Sequence, residues 1–243
     1  MARIRLCVTD ALGPGQPVSL DRDAAHYLFG VMRLSVGAEL LLFNGQDGEW
    51  RAEVTEAGKR GGVLACLEQT RPQSGPPDLW LLFAPVKKAR TDFIVEKAVE
   101  MGAARLLPVQ TDFTNSERIR QDRLQAHARE AAEQCGALVV PEVADLQKLD
   151  ALLGDWPEAR RLMFCDEALA GTESAPDFEA EPATPCPWAI LIGPEGGFSE
   201  TERARLHRLP QARTARLGPR ILRADTAAVA ALTLWQTRFG DWR

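Results

Sequence analysis

Trp188-Ala-Ile-Leu-Ile-Gly-Pro-Glu-Gly-Gly-Phe-Ser199 is the stretch of sequence that decides the fold. Its apolar run, Ala189–Ile192, stops at Gly193-Pro194 and predicts a buried strand. Three glycines within five residues allow the backbone to turn and to approach a ligand closely. Ser199 and Glu202 have the spacing of a capping box, so we expect a helix to begin just after the loop. A strand, a glycine loop and a capped helix predict a small-molecule site at the carboxyl end of that strand.

A second stretch repeats this plan further along the chain. Ala212–Leu217 predicts a short strand, Gly218-Pro219 ends it, and Arg220–Arg223 leads into an apolar helix predicted over Ala224–Phe239. Either loop alone is compatible with an ordinary connection between a strand and a helix. Both together favour one pocket on which the two loops close. The last helix is apolar on nearly every side, so we expect it to be buried on every side, inside the fold or in a subunit interface.

The rest of the chain predicts two domains. Residues before the linker alternate short apolar runs with turns, which predicts a small β-rich, barrel-like domain with one helix over Asp21–Arg33. The segment Thr70–Pro77 contains three prolines, a glycine and a serine, as is typical of a linker. Beyond it, strands alternate with longer helices, which predicts a mostly parallel sheet covered on both faces. We therefore predict domains over residues 1–72 and 78–243, with a mobile acidic insert over Glu167–Pro187.

Composition excludes several classes of protein. The 243 residues include five scattered cysteines without a C-x-x-C pair, so buried free thiols are expected rather than a disulfide framework or a zinc site. One of them, Cys135, is predicted to face inward from a helix over Asp122–Cys135, and a shorter helix is predicted over Asp145–Leu153. No signal peptide and no long apolar run are apparent, so a cytoplasmic protein is expected. Dinucleotide, Walker A, zinc-protease and hydrolase motifs are missing, and the three histidines are too dispersed to predict a metal site.

Charge is distributed unevenly along the chain. The net charge is −5, yet seven arginines and no acid lie between Arg203 and Arg223. Six acids and neither lysine nor arginine lie between Leu162 and Trp188. The arginine run predicts a basic patch beside the glycine loops, and the alternative is an ordinary solvated helix face.

A family resemblance rests on these segments, in chain order: His26, Val31–Arg33, Glu96–Gly102, Glu130–Gly136, Val140–Glu142, Ile190–Ser199 and Leu217–Ala228. They resemble the motifs of the bacterial small-subunit ribosomal RNA methyltransferase E family of the SPOUT class, and the resemblance covers essentially the whole chain. The chain departs from the family at Ala224-Asp225, where Thr-Glu is more usual. The shorter carboxylate of Asp225 therefore leaves its catalytic role open.

The resemblance implies a fold and a reaction. The implied fold is an α/β catalytic domain with a C-terminal trefoil knot, preceded by a PUA-like RNA-binding β-barrel domain, in a homodimer. The implied methyl donor is S-adenosylmethionine, and the implied acceptor is N3 of a uridine in 16S rRNA near the decoding centre. No metal and no membrane are implied. A methyltransferase of tRNA or of a ribose 2′-OH, and a non-catalytic RNA-binding module, remain as alternatives.

Motif matches also suggest which residues form the site. Donor contacts are expected at Leu191, Ile192, Gly193, Pro194, Glu195, Gly196, Leu217, Gly218, Ile221 and Leu222, with Phe164, Cys165 and Asp166 adding to the pocket wall. Glu195 has the alternative role of bracing the loop. Because uracil N3 must lose its proton, Arg223 or Arg220 is expected to stabilise the anion, and Asp225 to act as a base or to orient an arginine. RNA contacts are expected at Arg3, Arg5, His26, Arg33, Lys87, Lys88 and Arg90.

Overall fold

A computed structural model describes residues 4–115, 118–171, 178 and 186–242 of the protein. The chain divides into two compact units, Met1–Gly75 with Ala132–Val140 and Pro76–Ala131 with Pro141–Arg243. Residues 72–77 have no regular structure, whereas Thr70 and Arg71 still belong to a strand. No helix in the described ranges is long and apolar enough to cross a membrane.

The first unit is a five-stranded sheet with a short helical segment. Its strands are β1 (Arg5–Cys7), β2 (Pro17–Leu20), β3 (Glu39–Phe43), β4 (Glu49–Gly58) and β5 (Gly61–Arg71), in the spatial order β1-β3-β4-β5-β2. The turn at Asn44–Gly48 contains the Asn-Gly pair that favours hairpins, and β3 and β4 pair antiparallel on either side of it. Alternate residues of these strands, among them Leu40, Leu42 and Leu64, form the core of the unit.

The helix predicted over Asp21–Arg33 is only partly α-helical. Helix α1 covers Arg22–Ala25, and a π-helix continues over His26–Val31. The wider π turn interrupts the 3.6-residue period, so Leu28 is buried while Met32, which the period places on the same face, is exposed. The segment ends at Arg33, which has a φ of +59°.

The second unit is built on a parallel sheet of seven strands. These are β6 (Leu79–Phe83), β7 (Arg105–Gln110), β8 (Glu142–Val143), β9 (Gln147–Lys148), β10 (Arg161–Cys165), β11 (Trp188–Ile192) and β12 (Ala212–Ala215), in the order β12-β10-β11-β6-β7-β8 with β9 also paired to β7. Every residue of β11 is buried, as its apolar run predicts. The carboxyl ends of β10, β11 and β12 are neighbours at one edge of the sheet.

Five helices of the described residues accompany this sheet. They are α2 (Lys88–Glu100), α3 (Gln121–Cys135), α4 (Leu149–Gly154), α5 (Glu200–Arg208) and α6 (Ala224–Arg238), and a 3-10 turn covers Glu167–Leu169. Helix α4 begins later than predicted because Gln147 and Lys148 pair with β7 as a strand. The inward orientation predicted for Cys135 is wrong: it is exposed, because α3 ends there and Gly136 turns the chain with a φ of +83°.

Two expectations about the C-terminal part are qualified by the structure. Helix α6 buries Ala228, Leu232 and Trp235 but leaves Leu234 exposed, so in the single chain it is not buried on every side. Burial of the remaining face in a subunit interface stays a prediction, and so does the trefoil knot. Most of the predicted mobile insert, residues 172–177 and 179–185, lies outside the described residues.

Candidate functional site

A pocket lies at the carboxyl ends of β10, β11 and β12, where both glycine loops meet. It is lined by Cys165, Asp166, Glu167, Ala170, Ile192, Gly193, Pro194, Leu217, Gly218, Arg220, Ile221, Leu222, Ala224 and Ala227. Parallel strands bring their carboxyl ends to one edge of a sheet, and ligand sites of open α/β sheets form there. The structure therefore brings together nine of the thirteen residues expected to contact the donor, together with the candidate catalytic Arg220.

The glycines of the two loops serve different purposes. A Cβ atom on Gly193 would lie 2.7 Å from the ring of Phe198, which packs edge-on against Phe164 with ring centroids 5.2 Å apart. Gly193 is therefore required by packing inside the protein. Gly218 has a φ of +106°, and among the residues that the structure describes, its chain neighbours aside, no heavy atom lies within 4 Å of the position of its missing Cβ. The second loop thus turns as only glycine readily allows and leaves open space beside its backbone.

Apolar side chains of the second loop form an exposed part of the pocket wall. Ile221 is 75% exposed, although large aliphatic residues are usually buried. Leu217 and Leu222, on either side of it in the chain, are half-buried and also line the pocket. This wall offers apolar surface that a ligand would remove from water.

A buried carboxylate ties the end of β10 to helix α5. Asp166 accepts hydrogen bonds from Ala168 N and Arg203 Nε, both at 3.0 Å, and its side chain is almost fully buried. Glu167 accepts from Phe198 N at 3.1 Å and also pairs with Arg203. His207 lies 3.4 Å from the other oxygen of Asp166. This network fixes one side of the pocket.

Arg203 was missed as a site residue, although the sequence held a signal for it. The acid-only run and the arginine-only run follow each other, and Arg203 joins them through Asp166 and Glu167. Arg205 of the same helix pairs with Asp150. Part of the arginine run is thus neutralised, and the predicted basic patch is smaller than the sequence implies.

Arg90 links the first glycine loop to the start of α6. It donates to Glu195, and its Nε lies 3.7 Å from Asp225 Oδ2. Glu195 does not line the pocket. Its contact therefore corresponds to the loop-bracing alternative, with an arginine in place of backbone N–H groups. Arg90 itself, expected to bind RNA, is already engaged by two carboxylates.

The remaining candidates of the second unit lie around the pocket rather than in its wall. Phe164 and Leu191 have fully buried side chains in the core of the sheet. Gly196 lies next to Phe113. Arg223 is the N-cap residue of α6 and is exposed. Within the described part of the chain, no hydrogen bond or ion pair engages its guanidinium.

The RNA-binding candidates of the first unit differ in accessibility. The Arg5 side chain is only 9% exposed, because it pairs with Glu49 at 2.8 Å and donates to backbone carbonyls between Ala132 and Ala137. Arg5 is thus held inside the unit. His26 and Arg33 are exposed, and Arg3 lies outside the described residues.

One cysteine and two lysines of the second unit are further candidates for reactive or anion-binding groups. Burial raises the pKa of the Cys165 thiol, so this pocket residue stays protonated and is a poor nucleophile. Lys87 and Lys88 are exposed at the first turn of α2, where the positive end of the helix dipole favours anions. In the residues that the structure describes, no cluster of His, Cys, Asp and Glu has the arrangement of a metal site.

Comparisons with known proteins agree along the whole chain. A family model described as an RNA methyltransferase domain matches residues 73–236, and one described as an RNA methyltransferase PUA domain matches residues 20–64. The ribosomal RNA small subunit methyltransferase E of Rickettsia conorii is 27% identical over 94% of this chain and 93% of its own. The protein of that name from Mycobacterium tuberculosis is 30% identical over 90% of this chain and 85% of its own.

Two solved structures are similar over nearly their full length. A ribosomal RNA small subunit methyltransferase E from Neisseria gonorrhoeae, bound to S-adenosyl methionine, has a TM-score of 0.88 and 25% identity, covering 99% of this chain and 100% of that one. A putative methyltransferase from Legionella pneumophila, in complex with the bound cofactor SAM, has a TM-score of 0.89 and 27% identity at the same coverage.

Proposed function

The chain belongs to the ribosomal RNA small subunit methyltransferase E family, and from this premise we propose that it methylates N3 of a uridine in 16S rRNA, near the decoding centre, with S-adenosylmethionine as the donor. The predicted fold class is confirmed as a PUA-like N-terminal domain followed by an α/β methyltransferase domain with a parallel sheet. The observation that carries the proposal is the single pocket on which both signature loops converge.

The pocket has features that suit this donor. Ile221 and Leu222 offer apolar surface to an adenine ring, and the open space beside Gly218 lets a ligand approach the backbone. Backbone N–H and C=O groups of such loops can read the edge of a purine. When bound, S-adenosylmethionine supplies a methyl group on a sulfonium that is already activated for transfer, so the protein's main task is to position the reactants.

We assign the residues around the pocket to three roles. The donor contacts are made by Cys165, Ile192, Gly193, Pro194, Leu217, Gly218, Ile221 and Leu222. The loops are held in place by Asp166, Glu195 and Gly196, with Arg90 and Arg203 as their partners. Phe164 and Leu191 support the strands from the core.

The acceptor requires groups that favour loss of the uracil N3 proton. Arg220 lines the pocket, and Arg223 lies three residues further, so either cation is suited to stabilise a negatively charged pyrimidine. Asp225 follows Arg223 by two residues in the chain, and its Oδ2 lies 3.7 Å from Arg90 Nε. We propose that Asp225 accepts the proton or positions an arginine, in spite of being shorter than the glutamate more usual in the family.

Contacts to the rest of the RNA are assigned to exposed residues. Lys87 and Lys88 at the start of α2, and His26 and Arg33 in the first unit, are accessible to phosphates. Arg5 is left out because its guanidinium is already used. We further propose that the protein acts as a homodimer in the cytoplasm, where 16S rRNA is its substrate.

Methyl transfer to different RNAs tests this proposal. The purified protein is incubated with radiolabelled S-adenosylmethionine and 16S rRNA, small ribosomal subunits or bulk tRNA, and incorporation is counted. We expect label in 16S rRNA or the subunits and none in tRNA. Label confined to tRNA would support the alternative substrate. No label in any RNA, with RNA still bound, would support the non-catalytic alternative.

A further inference from the structure

Phe113 is a half-exposed aromatic residue beside the first glycine loop. Its side chain is 48% exposed, and it lies in the segment that follows β7. A Cβ atom added to Gly196 would lie 3.2 Å from the Cβ of Phe113. Gly196 belongs to the same loop as Gly193 and Pro194, which line the pocket. The aromatic ring is therefore a neighbour of the proposed donor site.

The turn that carries this ring is fixed by hydrogen bonds on both sides. Thr114 Oγ1 accepts from Thr111 N at 2.9 Å and pairs with Thr111 Oγ1 at 2.8 Å, and Thr114 N donates to Thr111 O at 3.1 Å. Asp112 N donates to Glu202 at 2.9 Å, and Asp112 accepts from Ser199 Oγ at 2.6 Å. Ser199 and Glu202 form the capping box of α5. Asp112, which precedes Phe113, is thus hydrogen-bonded to the start of helix α5, and the glycine loop leads into that helix.

We propose that Phe113 is the platform on which the target uracil stacks during methylation, an inference that rests on the proposed function. N3 lies on the Watson–Crick edge, so the target base must leave its pair and its stacked neighbours to react. An exposed aromatic face replaces the lost stacking, as it does in proteins that bind single-stranded nucleic acids. A ring that is already held in place loses little conformational entropy on binding.

The position of the ring suits this role better than a contribution to folding. An aromatic side chain that supports the core is buried, as Phe164 and Phe198 are. The side chain of Phe113 is instead half-exposed, and it lies beside the first glycine loop, which lines the proposed donor pocket. Arg90, which pairs with Glu195 next to Gly196, holds the same loop in place.

Substitutions that separate stacking from other roles test the proposal. We expect Phe113→Ala to lower kcat/KM for 16S rRNA about 10- to 100-fold, as the loss of one base–aromatic stack predicts. Phe113→Trp should retain activity, and Phe113→Leu should not, because leucine has no π face. The affinity for S-adenosylmethionine in calorimetry should be unchanged in all three. Phe93→Ala is the matched control, since Phe93 is 39% exposed on α2, where its ring centroid lies 5.5 Å from Lys97 Nζ, and it should behave as the wild type.

Three outcomes would overturn the proposal. The first is a kcat/KM of Phe113→Ala equal to that of Phe93→Ala, and the second is a Phe113→Leu variant as active as Phe113→Trp. The third is a change of oligomeric state in Phe113→Ala, seen by sedimentation, which would make the ring a contact with a second copy. A wild type that methylates no RNA would refute the proposed function itself. Stacking would then be judged from the affinity for a uridine-containing single-stranded RNA, which Phe113→Ala must lower and Phe93→Ala must not.

Discussion

Ile221→Ala gives the sharpest probe of the donor pocket. The side chain is 75% exposed in the protein without ligand, so its truncation removes almost no contact that stabilises the fold. A donor covering this wall would bury it. The substitution removes three carbons, and the donor would newly bury about three-quarters of their surface. At about 0.8 kcal/mol per buried methylene-sized group, this corresponds to about 1.8 kcal/mol of binding free energy. This is roughly a 20-fold increase in Kd for S-adenosylmethionine.

Two measurements on the same samples separate binding from folding. Isothermal titration calorimetry gives Kd for S-adenosylmethionine, and urea unfolding gives the free energy of unfolding. For Ile221→Ala we expect the roughly 20-fold weaker Kd stated above and a free energy of unfolding within about 0.5 kcal/mol of the wild type. Val36→Ala is the control, because Val36 is 61% exposed in the first unit and does not line the pocket. It should change neither quantity.

An Ile221→Ala variant that binds S-adenosylmethionine as tightly as the wild type does would contradict this prediction. The second glycine loop would then not cover the donor. A weaker Kd together with a large loss of unfolding free energy would show instead that the exposure of Ile221 in the structure is wrong.

Three further predictions concern the framework of the site. Gly193→Ala should lower the free energy of unfolding, measured in urea, by about 1–3 kcal/mol, because the added methyl group would collide with the ring of Phe198. Adding Phe198→Leu to this variant should recover part of the loss. If the losses of the two substitutions simply add in the double variant, the clash is contradicted. Arg203→Ala should lower the free energy of unfolding by about 2 kcal/mol, because it leaves the buried carboxylate of Asp166 without its cation. Arg208 is exposed on the same helix, so Arg208→Ala should lower it by less than about 0.5 kcal/mol. Equal losses in the two variants would argue against the ion pair. Cys165 has a raised pKa in the folded state from burial, so its contribution is fully present below the ordinary thiol pKa of 9.0 and is lost as the pH rises above it. Between pH 8 and pH 10 the wild type should therefore lose about 1.4 kcal/mol more unfolding free energy than Cys165→Ala does, and equal losses would contradict the burial of the thiol.

Local patterns were enough to predict the elements around the site. The run Ala189–Ile192 and the glycines after it depend only on neighbours in the chain, and β11 forms there. The capping box is local as well, and both of its bonds are present: Ser199 Oγ accepts from Glu202 N at 3.2 Å, and Glu202 accepts from Ser199 N at 2.9 Å. The convergence of the two loops could be inferred because the same strand–loop plan occurs twice.

Features that depend on distant contacts could not be predicted in this way. The sequence assigned Asp166 to the pocket wall, but only the pairing of β10 with β11 and β12 brings it to Arg203. Arginine is usually a surface residue, yet the partners of Arg5 include backbone carbonyls more than 120 residues away in the chain. Helix α4 is shorter than predicted because Gln147 and Lys148, which precede it, pair with the end of β7 as a strand. These outcomes depend on strand order or on the packing of segments far apart in the chain, which hydrophobic patterns do not contain.

The most direct test of the central claim is to identify the methylated atom in 16S rRNA. After reaction with the protein and S-adenosylmethionine, the RNA is digested to nucleosides and analysed by mass spectrometry against synthetic standards. We expect 3-methyluridine, located by primer extension as a stop, because a methyl on N3 blocks the Watson–Crick edge. A 2′-O-methylated nucleoside, or a methylated base other than uracil, would contradict it.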